Sequence, residues 1–124
     1  MNDLIGLAYG WAHRPGDGSG KTDCFQLTCE VRRRMGLTDY TDKFAWVYDK
    51  YVDATFPRQL VLRWLLENGE RINAALPGAV ALMPGASGAA LGAVTDHGVI
   101  FLGVSQNVVH TPVPLGAGYY FWMK

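Results

Sequence analysis

Two cysteines and three histidines are the side chains of this 124-residue sequence best suited to nucleophilic chemistry. Cys24 stands where a polar, glycine-rich loop (residues 13–22) runs into a helical pattern that reaches about Met35. Asp23 is a good N-cap and Gly36 suits the position just past the helix end. Arg32, Arg33 and Arg34 complement the negative end of the helix dipole and read as a solvated helix end. A thiol in that first turn sees unpaired backbone N–H groups and partial positive charge, which favour the thiolate. Cys24 is therefore expected to attack a carbonyl carbon. Cys29, five residues on and on a diverging face, is too far away for a disulfide and reads as a small buried apolar residue.

A nucleophilic thiol needs a base. His97 precedes the apolar run Gly98–Leu102, and His110 ends the run Asn107–Thr111. A two-residue turn at Gly103-Val104, or a four-residue loop centred there, would set position 97 directly opposite position 110. Opposed residues of an antiparallel pair share a face, so one imidazole could hold the tautomer of the other. A one-residue slip would put the two on opposite faces. His13, in the glycine-rich loop, reads as an exposed loop residue. The same loop contains Gly16-Asp17-Gly18-Ser19-Gly20-Lys21-Thr22, which imitates a phosphate-binding loop. The motif requires glycine where Pro15 stands, however, and the downstream chain lacks alternating strand–helix units.

These residues must be positioned by a chain of ordinary composition. It is 49% hydrophobic and 18% charged, which suits a packed domain and not a disordered one. A formal net charge of zero argues against a general nucleic-acid or membrane-surface binder, and no apolar run has the length of a membrane span. The N-terminus lacks the basic and apolar regions of an export signal, so synthesis in a cytoplasm is expected, with any work outside depending on a delivery route. Residues 41–52 place Phe44, Val47, Tyr48 and Tyr51 at helical spacing, an aromatic stripe that reads as core or groove wall. Pro57 to Gly69 frame a third helix. Residues 78–83, 97–102, 107–111 and 119–123 read as strands, with a glycine- and alanine-rich loop over 85–94 between the first two. The expected fold class is α+β in one domain, 1–124, with N-terminal helices packed on a small antiparallel β-sheet.

The order Tyr9-Gly10-Trp11, Asp23-Cys24, Pro77–Leu82, His97–Gly103 and Val108-Val109-His110 resembles the NlpC/p60 superfamily of papain-like cysteine peptidases over nearly the whole chain. Carried over by position, the resemblance implies Cys24 as nucleophile, His97 as general base and acid, and His110 as orienting residue. Tyr9 and Asp23 would fall on the substrate or oxyanion side, Tyr9 being equally readable as a core aromatic. The implied reaction is hydrolysis of an amide bond in the stem peptide of bacterial peptidoglycan, with no metal or organic cofactor. With no export signal, wall-binding repeat or linker in the sequence, a partner is expected to position such a domain: a bacteriophage tail protein or, for an antibacterial effector, a cognate inhibitor. The family usually has Ser-Gly after Asp-Cys, and this chain has Phe25-Gln26, bulkier groups that would narrow or reshape the groove. A second reading follows from that change: a virion or assembly protein that keeps the fold for binding alone.

Overall fold

A computed structural model describes residues 1–85, 88–103, 105–112 and 118–124. A short 3-10 turn (Asn2–Leu4) leads to β1 (Ala8–Tyr9), β2 (Lys21–Thr22), α1 (Cys24–Arg34), α2 (Trp46–Lys50) and α3 (Gln59–Asn68). Strands β3 (Gly69–Ile72), β4 (Val80–Gly85), β5 (Gly88–Thr95), β6 (Gly98–Leu102), β7 (Val108–Thr111) and β8 (Tyr119–Met123) follow. The last six form one sheet in the order β3-β8-β4-β5-β6-β7, antiparallel throughout, while β1 and β2 make a separate parallel pair. This is the mixed α+β architecture expected. No helix among the described residues is long and apolar enough to cross a membrane.

The α1 helix begins and ends where its sequence dictates. The Asp23 carboxylate accepts from the Gln26 N–H at 2.8 Å, and Gly36, at φ +74°, reverses the chain. The N–H groups of Gly36 and Leu37 then close on the carbonyls of Arg33 and Arg32. Leu27 and Val31 of α1 pack on Ala93, Ile100 and Val108 of the sheet, and Cys29 joins Trp64, Leu65, Leu91 and Phe121 in the cluster shared with α3. The sheet therefore has one helix-covered face, fixed by the odd positions of β5 and their partners.

Several expectations are corrected. Residues 88–94, expected within a loop over 85–94, belong to the central strand β5, where close approach needs a small residue: a Cβ on Gly92 would lie 2.7 Å from the Ile100 carbonyl oxygen. The second helix is confined to Trp46–Lys50, within the 41–52 expected. Gly69 does follow α3, but its backbone is extended. Glycine is needed there because a Cβ would lie 2.6 Å from the Met123 sulfur. Arg32 is not solvated: it is 2% exposed and donates to the carbonyls of Thr38 and Gly78. Arg33 and Arg34 do lie at the surface, paired with Glu30, Asp39 and Asp3.

The β5–β6 hairpin turns at Asp96-His97, with Thr95 opposite Gly98. Gly98 sits at φ +140°, and a Cβ there would meet the Thr111 carbonyl oxygen at 2.0 Å. Gly98→Ala is expected to destabilise the chain by about 2–4 kcal/mol in urea denaturation, since backbone must move. Gly16→Ala, also at positive φ but in open space, should cost only about 1–2 kcal/mol. Equal losses would show that the β6–β7 contact is not as described.

Candidate active site

The loop before α1 is organised by one carboxylate. Asp23 is 3% exposed, and beyond its Gln26 bond its Oδ2 accepts from the Ala12 N–H at 2.9 Å and from the Tyr48 hydroxyl at 2.7 Å. Ala12 is held at φ +66°, a conformation that this contact helps maintain. Burial raises the Asp23 pKa, and the donors around it act in the opposite direction. Asp23 thus joins three segments that are remote in sequence: the 10–13 turn, the start of α1, and α2. Tyr48 continues the connection, because Trp11 packs edge-on against it at 5.1 Å and tilted against Phe56 at 5.2 Å.

Cys24 follows, half-buried at the floor of a cavity of about 330 Å³. Two groups of rings line it. Trp11, Tyr48 and Phe56 form one, and Phe25, Phe44 and Trp64 the other, with Phe25 edge-on to both Phe44 and Trp64. The aromatic stripe expected over 41–52 is thus a groove wall in part, through Phe44, Val47 and Tyr48. Tyr9 also lines the cavity, and burial, then the nearby Asp53, raise the pKa of its hydroxyl. Cys24 packs against the buried cluster that contains Leu91, which lines the same cavity. Burial first, and the neighbouring Asp23 charge second, push its pKa up to about 11. Cys29 is buried as expected, its thiol pushed up to about 12.

The two histidines expected beside the sulfur lie elsewhere. His110 pairs with Ile100, three residues beyond His97, so the register that would oppose 97 and 110 does not form. Leu102 pairs with Val108, and Gly103 bonds to Asn107. The connection is therefore longer than the predicted Gly103-Val104 turn, of which Val104 lies outside the described residues. His97 is an exposed residue of the β5–β6 turn and not the start of a strand. The His110 Nε2 meets the Thr95 hydroxyl at 2.9 Å, and the same hydroxyl accepts from the His97 N–H at 3.1 Å. Burial, and then the nearby His97, lower the His110 pKa.

Thr95 stands four residues along β5 from Leu91, or about 13 Å. The arginine at the other end of α1 marks the same place: Arg32 reaches Gly78, whose N–H bonds to Val94. Cys24 and the histidines therefore lie at opposite ends of a helix about 16 Å long. The structure brings His97 and His110 near each other and brings neither to the thiol. Among the cavity residues none is a histidine, and Leu91 is one of the buried residues packed around Cys24.

His13 is half-buried in the loop, bound to Asp17 at 3.0 Å, and Asp17 is occupied by Ser19 and Arg14 as well. The phosphate-loop lookalike is thus a self-bonded surface turn. No group of three metal-ligating side chains occurs among the described residues. Residues that spacing alone did not single out are Trp11, Phe56, Asp53 and Arg58; the density of aromatics over 44–56 was the available signal. Comparison with protein-family models, with curated proteins and with solved structures finds no match.

Two measurements check this geometry. Tyr48→Phe removes one of the Asp23 donors and should cost about 1–2 kcal/mol, while Asp23→Ala strands two backbone N–H groups and should cost about 2–4 kcal/mol in chemical denaturation. Since the thiolate is the reactive form, a raised pKa leaves little of it at neutral pH. Alkylation at Cys24, followed by peptide mass spectrometry, should rise steadily with pH toward a midpoint near 11. A plateau already reached at about pH 7 would indicate an activated thiolate instead.

Proposed function

We propose that this chain is a non-hydrolytic binding domain, built on an NlpC/p60-like arrangement of a cysteine-bearing helix over an antiparallel sheet. The observation that carries this reading is the occupant of the place a base would need. Leu91 is one of the buried residues packed around Cys24, and His97 and His110 sit at the far end of α1. General-base catalysis needs an acceptor within about 2.6–3.2 Å of the thiol or one water away once substrate is bound, and a base at the other end of an eleven-residue helix is several times farther off. A thiol pushed up to about 11 also lacks the lowered pKa that cysteine nucleophiles use. Phe25 adds support: where the family has serine, it places a ring edge-on to Phe44 and Trp64 and fills one side of the groove. Asp23, the other residue expected on the reacting side, is consumed in holding the loop, Tyr48 and α1 together.

In this reading the cavity is retained as a binding site, and the setting is that of a virion or assembly protein, or another particle whose partner positions the domain. The test is incubation of the purified chain with bacterial peptidoglycan. The expected result is no release of stem-peptide fragments above the level given by Cys24→Ala. Fragment release that Cys24→Ala abolishes would restore the cysteine peptidase.

A further inference from the structure

The cavity over Cys24 has a charge pattern that limits what it can hold. Its charged lining residues are Asp23, Arg58, Arg63 and Glu67. Arg58 is bound to Asp53 at 2.5 Å, and Arg63 Nε donates to Glu67 at 2.8 Å. Asp23 already holds three donors. The two arginines and Glu67 are thus ion-paired within the chain, the Asp23 oxygens are taken by neutral donors, and the rest of the lining is mostly ring and aliphatic surface. A carboxylate entering here would meet arginines that are already paired, and an ammonium a carboxylate whose oxygens are already occupied, so either ion gains little against the cost of leaving water. A neutral ring would bury apolar area and meet the edges and faces of Trp11, Tyr48 and Phe56. The volume, about 330 Å³, is at the small end of ligand sites and suits a group of one or two rings.

We propose that this cavity selects an uncharged, ring-bearing apolar group and discriminates against carboxylates, including the acidic stem peptide that the family resemblance implies. The proposal rests on the reading of the chain as a binding domain. Arg58 sets the selectivity: its pairing with Asp53 withholds from the cavity the cation that a carboxylate would use.

The test compares three probes of one shape, 2-naphthylmethanol, 2-naphthoate and 2-naphthylmethylammonium, by titration calorimetry against the intact chain. Slowed alkylation of Cys24 locates the bound probe. The alcohol is expected to bind at least about tenfold more tightly than either ion and to protect Cys24 as it saturates. Asp53→Asn, which frees Arg58, should raise naphthoate affinity several-fold relative to that of the alcohol. Equal or tighter binding of an ion by the unaltered chain would overturn the proposal. So would failure of all three probes to bind, or naphthoate affinity that Asp53→Asn does not raise relative to that of the alcohol. The peptidoglycan assay is read independently: stem-peptide release would overturn the binding-domain reading whichever probe binds here.

Discussion

The buried Asp23 carboxylate is the constraint on which the rest of the site depends. A carboxylate removed from water is tolerated only when its oxygens are occupied, and here the donors come from α1, from the turn at Ala12 and from Tyr48. That requirement fixes the start of α1 and so the position of Cys24. It also fixes the wall opposite, because the Tyr48 that completes the set carries Trp11 and, through it, Phe56. Residues 41–63 contain no fully buried side chain, so this wall owes its place to a few directed contacts more than to core packing.

The same geometry explains why a cysteine at a helix N-terminus is not thereby activated. A helix terminus stabilises a nearby negative charge by about 0.3–1 kcal/mol, less than one pK unit. Against it stand desolvation by the surrounding apolar groups and the charge of the adjacent Asp23, and together they carry the thiol upward to about 11. Where catalytic cysteines overcome such an environment, a cationic partner does most of the work. Here Arg58 is the cation that acts on Cys24, and Asp53 engages it.

Much of the fold was legible from local signals. The bounds of α1 followed from Asp23 and Gly36, since a capping side chain and a positive-φ residue act within a few positions of themselves. The histidine geometry was not legible, because register depends on a hairpin that the sequence disguises. Gly88–Thr95 has the composition of a loop, yet those small residues serve a crowded central strand in which Gly92 abuts the Ile100 carbonyl. Once β5 exists, Asp96-His97 becomes its turn, and the strand expected to begin with His97 begins with Gly98 instead. The buried Arg32 was hidden for a related reason: three consecutive arginines look alike in sequence, and only the packing against Thr38 and Gly78 distinguishes the first.

The distance from the Cys24 sulfur to the ring nitrogens of His97 and His110, measured in a crystal of the unliganded chain, bears most directly on this account. Separations of roughly 10 Å or more are predicted, since Thr95 stands four residues along β5 from Leu91. An imidazole nitrogen within about 4 Å of that sulfur would contradict it and return the chain to the thiol hydrolases.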